Sequence, residues 1–293
     1  MTDTPDNFGG LMPEFSSYDK AAVVVLPVPY EGTVSYGKGT AKGPGNMIKA
    51  SQNMELYDEE LDCVPCEIGI HTLKEFTGKN DPEATVKGLR EHVKKFVDDD
   101  KFLCVLGGEH SISSGYAAAL KERYPDLSVL QFDAHSDLRD EFDGSQYSHA
   151  CVMRRIVEMG CKTAQVGIRS QDSEEMDFIK ENSMEHSIFN VWRMRNDPNW
   201  MKKMLDCLSD HVFITFDIDG LDPSIMPSTG TPEPGGLTWF EALDILKLVF
   251  RHKHVVGFDV VELAPIDGLH APDFTAAKLA YKMIGYNFFK DRL

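Results

Sequence analysis

The alternation of elements in this chain is clearest around residues 127–137, which read Leu127-Ser-Val-Leu-Gln-Phe132-Asp133-Ala-His135-Ser-Asp137. The first six residues form a short, mostly apolar run that is typical of a buried strand. In extended backbone, residues i, i+2 and i+4 lie on one face, so Asp133, His135 and Asp137 should converge where the strand ends. We therefore expect a strand that delivers polar side chains to the carboxyl edge of a sheet.

Similar apolar runs recur along the chain and are separated by segments with helical periodicity. The other predicted strands are residues 21–26, 102–106, 163–168, 211–216 and 255–260. The predicted helices are residues 83–97, 113–122, 197–208 and 238–249, with a last helix opening at Asp273. Thr238-Trp-Phe-Glu241 has the spacing of a capping box. Such alternation predicts an α/β fold, a single three-layer α/β/α domain with a mainly parallel sheet.

Length and charge narrow the classes of function. The chain has 293 residues and a formal net charge of −17, from 30 Lys+Arg against 47 Asp+Glu. We interpret residues 1–293 as one domain, with residues 1–20 as an N-terminal extension. A negative field repels phosphate backbones and attracts cations, which argues against nucleic acid as a partner and favours cationic small molecules or metal ions.

The sequence also indicates a cytoplasmic protein that does not bind membranes. No run reaches the roughly 18 apolar residues that a spanning helix needs, and the acidic start, residues 1–6, lacks the features of a signal peptide. Six cysteines are sparse for this length and fit a reducing compartment. Cys63 and Cys66 have the spacing of a redox or half-zinc motif, but without a second pair they receive no role.

A second carboxylate motif, Phe216-Asp217-Ile218-Asp219, ends another predicted strand. Neither motif contains Lys or Arg, so the gathered carboxylates and His135 should repel one another unless cations bind there. Carboxylates with imidazole and no thiolate favour Mn²⁺ or a similarly hard ion, and two such ions would balance four negative charges. His110, which follows the strand at 102–106, is the natural sixth ligand. Single Asp residues after strands are otherwise turn formers or helix caps.

Three blocks resemble the signature motifs of the ureohydrolase family, the family of arginase and agmatinase. They are Gly107-Gly-Glu109-His110-Ser, Phe132-Asp133-Ala-His135-Ser-Asp137 and Phe216-Asp217-Ile-Asp219-Gly-Leu-Asp222-Pro223. Further blocks fit in the same order, namely Gly43-Pro44 leading to Ser51, Thr229 to Gly236, and Gly257 to Pro265. The resemblance covers residues 20 to 290, and it implies the arginase-like ureohydrolase fold, assembled as trimers or hexamers with two Mn²⁺ ions at the strand ends.

The resemblance also implies a ligand set and a reaction. One ion would take His110, Asp133, Asp137 and Asp217, and the other would take Asp133, His135, Asp217 and Asp219, so that Asp133 and Asp217 bridge. A metal-bridging hydroxide would attack a guanidinium carbon and release urea and an amine.

Four further residues receive roles from the same resemblance. Glu262 corresponds to the acid that binds the guanidinium group, and His149 to the histidine that gives a proton to the leaving amine. Asp222 and Thr231 would orient the metal ligands.

The segment after Asp137 bears on the substrate. Residues 138–147 depart from the arginase-like pattern, and Asp140, Glu141 and Asp143 add negative charge suited to a second cationic end. Residues 138–141, followed by residues 148–155, resemble prokaryotic agmatinases. We therefore expect agmatine, giving putrescine and urea. N1-aminopropylagmatine, giving spermidine and urea, is the close alternative. Three arginines, Arg139, Arg154 and Arg155, keep guanidinobutyrate open. A two-metal phosphoesterase is the alternative from a different class, although the motifs lack phosphate-binding groups.

Overall fold

The computed structural model describes residues 5–293, in which eight strands form one sheet. The strands are β1 (Val23–Val28), β2 (Ile70–Thr72), β3 (Phe102–Gly107), β4 (Ser128–Phe132), β5 (Lys162–Ile168), β6 (Ile188–Asn190), β7 (His211–Asp217) and β8 (His254–Val261). Their order is β2-β1-β3-β8-β7-β4-β5-β6, and every neighbouring pair is parallel. All carboxyl ends therefore meet at one edge of the sheet.

Helices cover both faces of this sheet. They are α1 (Pro13–Ser16), α2 (Gly43–Ser51), α3 (Pro82–Asp98), α4 (Ser113–Arg123), α5 (Val152–Glu158), α6 (Ser173–Glu181), α7 (Val191–Asn196), α8 (Trp200–Cys207), α9 (Trp239–His252) and α10 (Ala271–Phe288). Buried residues of α2, α8, α9 and α10 pack in one apolar cluster, and those of α3, α4, α5 and α6 pack in another. The predicted three-layer α/β/α architecture is confirmed.

Alternate residues of each central strand face the two helical layers. In β1, Val23 and Val25 belong to one apolar cluster, whereas Val24, Leu26 and Val28 belong to the other. Because both faces are covered, a strand of this kind reads as a continuous apolar run rather than an alternating one. This is why the six predicted strands could be recognised, and each is present within two residues of its expected start.

Two strands and several helices escaped the sequence prediction. The edge strands β2 and β6 have only three residues each, too few to display a period. The helix expected over residues 197–208 begins at Trp200, since Asp197 and Asn199 form the turn that separates it from α7. The capping box is present as predicted, with Thr238 and Glu241 bonded reciprocally at the start of α9.

Residues 5–20 lie against the sheet and one helical layer. Phe8 and Leu11 are buried in the apolar cluster that contains α2 and α10. The Phe8 backbone N–H donates to Thr72 Oγ1 at 2.9 Å, and that of Gly9 donates to Ser51 Oγ at 2.8 Å. Residues 1–4 of the predicted N-terminal extension lie outside the described residues.

Across residues 5–293, none of the helices has the length and apolarity needed to span a bilayer.

Gly108 joins three segments at the carboxyl edge of the sheet. Its N–H donates to the Val28 carbonyl at 2.8 Å, and its carbonyl accepts from the Glu262 N–H at 2.8 Å. The next residue, Glu109, donates to the Tyr30 carbonyl at 2.8 Å. A Cβ at Gly108 would stand 2.0 Å from that Tyr30 oxygen. The close approach of two backbones therefore requires glycine at this position.

Replacing Gly108 with Ala should lower the free energy of unfolding by about 1–3 kcal/mol, because the backbone that it would strike cannot rotate away. Chemical denaturation measures the change. Gly45→Ala is the matched control, since a Cβ there meets nothing within 4 Å and Ala suits the interior of α2 better than Gly. If the two variants were equally stable, the close-approach argument would be wrong.

Candidate active site

The carboxyl ends of four adjacent strands converge on one cluster of polar side chains. In the order of the sheet, β3 leads to His110, β8 to Glu262, β7 to Asp217 and Asp219, and β4 to Asp133, His135 and Asp137. The parallel sheet thus brings together residues that are up to 152 positions apart in the chain.

Three carboxylates surround one ring nitrogen of His110. Nδ1 lies 3.1 Å from Asp133 Oδ2, 3.1 Å from Asp137 Oδ2 and 3.4 Å from Asp217 Oδ2, and all four side chains are nearly or fully buried. Despite these distances, Nδ1 has no partner with hydrogen-bond geometry among the described residues. A buried nitrogen among three carboxylate oxygens is the donor set of a metal site.

The contact of the other ring nitrogen of His110, Nε2, bears on which ring nitrogen carries the hydrogen. A metal ion at Nδ1 requires the hydrogen to be on Nε2. Nε2 lies 2.8 Å from Thr215 Oγ1, and the Thr215 hydroxyl donates in turn to Ser113 Oγ at 3.2 Å. Since the Thr215 proton is used in that second bond, Thr215 Oγ1 accepts from Nε2–H. The lone pair of Nδ1 is then directed at the carboxylates, where it can bind a cation.

A second group of donors shares Asp133 with the first. His135 Nδ1 lies 3.0 Å from Asp219 Oδ2 and 3.5 Å from Asp133 Oδ1. In each of two sets, His110 with Asp133 and Asp137, and Asp133 with His135 and Asp219, the donor atoms lie within 4.8 Å of one another. Asp217 lies beside the first set, and its Oδ1 accepts from the Asp219 backbone N–H at 2.9 Å.

The proton affinities of these groups reflect the uncompensated charge. Burial and the charge of Asp133 raise the pKa of Asp137 to about 7. Burial, together with Asp219 and Asp133, raises the pKa of Asp217 well above its usual range. Burial alone would lower the pKa of His135, but Asp219 and Asp133 raise it to about 12. The cluster therefore attracts positive charge strongly, and the residues present fit two hard divalent ions.

Gln131 was not predicted as a site residue, although it bonds to Asp133, which belongs to both donor sets. It lies within the buried strand β4, and its Nε2 donates to Asp133 Oδ2 at 2.6 Å. Gln165, on β5, donates to the Ser136 carbonyl at 2.7 Å. A polar residue inside an otherwise apolar, fully buried strand was the available signal, because such a side chain must find a partner.

Glu262 stands at the wall of the site in an uncommon backbone conformation. Its φ is +66°, in the left-handed region that residues with a side chain rarely adopt. Its Oε1 accepts from the His110 backbone N–H at 2.6 Å. Burial and the nearby Glu109 raise the pKa of Glu262 well above its usual range, so a bound cation would favour its ionised form.

His149 lies on the same cavity, at the start of the short helical turn His149–Cys151. Its ring meets Phe142 edge-on, with centroids 5.8 Å apart. Burial, followed by the charge of His110, lowers the pKa of His149 to about 4. The imidazole is therefore kept in its neutral form.

These side chains line a cavity of about 240 Å³. Of the residues predicted from sequence, eight border it, namely His110, His135, Asp137, His149, Asp217, Asp219, Thr231 and Glu262. Asp133 is fully buried beneath them. The loops of residues 28–45 and 220–236 meet at the rim of the cavity. Gly37 and Gly230 approach closely there, since a Cβ added to Gly37 would stand 2.7 Å from the Gly230 carbonyl oxygen.

Besides Asp133, three predicted residues do not border the cavity. Asp222 accepts from the backbone N–H groups of Ser224, Gly235 and Gly236, so it holds the 220–236 loop closed. Asp140 accepts from Arg155 at 2.7 Å, and Glu141 is exposed to solvent. The fold thus directs Asp140 to α5 and Glu141 to water, and their contact with the substrate stays a prediction.

The acidic residues that do border the mouth come from the segment after β5. Asp172 and Glu175 line the cavity together with Arg139 and Phe142. Arg139 reaches Asp172 Oδ2 at 3.2 Å, and its guanidinium carbon lies 5.1 Å from the centre of the Phe142 ring. The sequence analysis did not predict that Asp172 and Glu175 form this wall of the cavity. The strand at 163–168 was recognised, however, and its carboxyl end belongs to the same edge of the sheet.

Comparison with known proteins bears on this site. Residues 21–285 match the model of the Arginase family. An N(1)-aminopropylagmatine ureohydrolase from Synechocystis is 43% identical over 279 residues, covering 92% of this chain and 90% of the relative. An agmatinase from Pyrococcus horikoshii is 34% identical over 275 residues, covering 90% and 92%. The crystal structure of agmatine ureohydrolase from Thermoplasma volcanium has a TM-score of 0.87 and 28% identity, covering 98% of this chain and 96% of that one.

Asp133→Ala should abolish tight binding of both ions, because Asp133 belongs to both donor sets. With Mn²⁺ as the probe, we expect two ions per wild-type chain and a clear rise in Tm, since ligand at 100 times Kd stabilises by about 2.7 kcal/mol. Metal analysis and thermal unfolding measure both effects. Asp177→Ala, at an exposed side chain, serves as the control. Retention of two ions by the Asp133 variant would refute the shared-ligand arrangement.

Proposed function

The chain belongs to the arginase family, as its motifs predicted, and we propose that it hydrolyses N1-aminopropylagmatine to spermidine and urea. Members of this family are hydrolases that act on guanidino compounds. The observation that carries the proposal is the cavity itself, with a pair of carboxylate and imidazole donor sets at its floor and acidic side chains at its mouth. The family assignment also sets aside the phosphoesterase alternative.

We propose Mn²⁺ as the metal, because the donors are oxygen and imidazole nitrogen without thiolate. His110, Asp133, Asp137 and Asp217 would hold one ion, and Asp133, His135, Asp217 and Asp219 the other. When bound, two such ions would supply an activated water for attack on the guanidinium carbon. The buried carboxylates would hold the two cations in place. Gln131 bonds to Asp133, and Thr215 bonds to His110, so these two ligands are kept in their binding orientation.

Glu262 would bind the guanidinium group beside the metal ligands. Its carboxylate borders the cavity, and its position is fixed by the bond from the His110 backbone. A carboxylate can accept paired N–H bonds from a planar cation, which orients the carbon toward the floor of the cavity. His149, which borders the cavity, would take up a proton and deliver it to the departing amine.

The mouth of the cavity favours a substrate tail that carries positive charge. Asp172 and Glu175 border it. Arg139, the one Arg or Lys among the described residues that line the cavity, is engaged with Asp172 and the Phe142 ring. Glu175 is buried and accepts from the backbone N–H groups of Leu138 and Asp172. Asp172 accepts from the Glu174 N–H and pairs with Arg139, but 37% of its side chain is exposed, so it is the more accessible acceptor. A carboxylate tail such as that of guanidinobutyrate would meet this negative charge, so an amine tail is favoured.

The names of the relatives bear on which of the two amine substrates, N1-aminopropylagmatine or agmatine, we propose first. The Synechocystis relative at 43% identity is named for aminopropylagmatine, which reverses the order that the sequence motifs alone gave. Agmatine remains the second candidate, because the Pyrococcus horikoshii relative at 34% identity and the Thermoplasma volcanium structure carry that name. Both substrates present the same guanidinium group, so the roles of Glu262 and His149 are common to them.

We further propose a cytoplasmic homotrimer or homohexamer. All six cysteines are free thiols, and burial raises the pKa of both Cys63 and Cys66, which fits reduced and unreactive groups in a reducing compartment. Three apolar side chains that follow β8, Ile266, Leu269 and Phe274, are exposed in the isolated chain, which supports a subunit contact there.

With Mn²⁺ bound, the protein should release urea from N1-aminopropylagmatine with a higher kcat/KM than from agmatine, and with far lower values for guanidinobutyrate and arginine. Urea release from the four compounds, compared side by side, measures the order. A preference for agmatine would keep the reaction and change the product to putrescine. Absence of urea from every guanidine would refute the proposed function.

Asp172→Asn should lower kcat/KM for the longer amine about tenfold, a loss of about 1.4 kcal/mol of binding to the tail. Asp140→Asn is the matched control, since Asp140 pairs with Arg155 and does not border the cavity. Steady-state kinetics on both variants measure the difference. An equal loss in the two variants would contradict the assignment of the tail to the wall formed by the segment after β5.

A further inference from the structure

The loop that follows β1 reaches across the cavity and touches His149. The hydroxyl oxygen of Thr33 accepts from the His149 backbone N–H at 3.0 Å and lies 3.3 Å from ring atom Nδ1. Thr33 is 116 positions away in sequence from His149 and belongs to none of the motifs that assigned the site. Its contact is with the histidine rather than with the metal donors.

Glu109 determines what the Thr33 hydroxyl can do. The Thr33 hydroxyl donates to Glu109 Oε1 at 2.7 Å, and the same oxygen accepts from Ser111 Oγ at 2.6 Å. Glu109 Oε2 accepts the backbone N–H groups of Gly32 and Thr33, at 2.7 and 2.6 Å. Four donors thus converge on one buried carboxylate, and the loop of residues 31–34 is held to the start of α4 through it.

The direction of the Thr33 bond has a consequence for the imidazole. Because its only proton is given to Glu109, Thr33 Oγ1 can offer His149 nothing but lone pairs. A bond between Thr33 Oγ1 and Nδ1 therefore requires the hydrogen to be on Nδ1. Nε2, on the far side of the ring, bonds to none of the described residues, and the ring borders the cavity. The lone pair of Nε2 is then the one that faces the substrate.

We propose that Thr33, held by Glu109, is a positioning residue that keeps His149 in the Nδ1–H tautomer, so that Nε2 exchanges the proton with the reacting groups. This inference rests on the proposed role of His149 in the ureohydrolase reaction. When Nε2 takes up a proton, the charge of the imidazolium is stabilised through Thr33 by the Glu109 carboxylate. On transfer of that proton to the departing amine, the ring returns to the starting tautomer.

Ser148 offers a competing explanation, since its Oγ also lies 3.3 Å from His149 Nδ1. A serine hydroxyl that donated to Nδ1 would impose the opposite tautomer, with hydrogen on Nε2. The two arrangements predict different sensitive residues, Thr33 in the first and Ser148 in the second.

The test compares Thr33→Val, Thr33→Ser and Ser148→Ala in the Mn²⁺-loaded protein, with and without His149→Phe. We expect Thr33→Val to lower kcat about 10- to 100-fold, with KM, metal content and Tm close to those of the wild type. Valine keeps the shape of threonine and leaves the backbone bonds to Glu109 intact. Thr33→Ser should restore kcat, because it restores the hydroxyl. Ser148→Ala should have a small effect.

His149→Phe alone should lower kcat by about 10² to 10⁴, and adding Thr33→Val to it should lower kcat no further, because Thr33 acts only through the imidazole. Any one of three results would overturn the inference. They are full kcat in Thr33→Val, an equal loss of kcat from Thr33→Val with and without His149, and a loss of kcat in Ser148→Ala instead. Those results leave urea release by the wild type unaffected, so they are distinguishable from failure of the proposed function, in which the wild type itself releases no urea.

Discussion

Negative charge buried at the centre of a sheet is the constraint on which the rest of this structure depends. Asp133, Asp137, Asp217, Asp219 and Glu262 are each less than a tenth exposed and stand at the ends of three adjacent strands. Removing carboxylates from water is costly unless cations or hydrogen-bond donors replace the water. The surrounding residues supply such donors: the Gln131 side chain bonds to Asp133, and backbone N–H groups near the strand ends bond to Asp133 and Glu262.

Much of the fold and of the cavity floor could be predicted because the signals are local. Apolar runs of five or six residues identify buried strands, and the polar motif directly after one such run places Asp133, His135 and Asp137 at the carboxyl end of β4. Parallel pairing then brings separate strand ends together without any knowledge of packing. The same reasoning could not give the order of strands, in which β8 lies between β3 and β7, since that order depends on contacts between distant parts of the chain.

The mouth of the cavity was harder to predict because loop side chains take their direction from tertiary contacts. Asp140 follows the metal-binding motif closely in sequence, yet Arg155 on α5 turns it away from the cavity. Asp172 belongs to a segment without a recognisable motif, and only the position of β5 in the sheet brings it to the mouth. Thr33 lies in a long irregular loop whose path is fixed by Glu109. Such contacts cannot be read from spacing alone.

The division between floor and mouth has an evolutionary consequence. The floor is built on the ends of β3, β4, β7 and β8 in the middle of the sheet, whereas Asp172 and Glu175 stand after β5, nearer its edge. A change in the segment after β5 would alter the tail preference proposed above and leave the donor sets untouched. Gene duplication could therefore yield descendants that hydrolyse different guanidines through a few loop substitutions, while one inherited reaction centre passes unchanged between them.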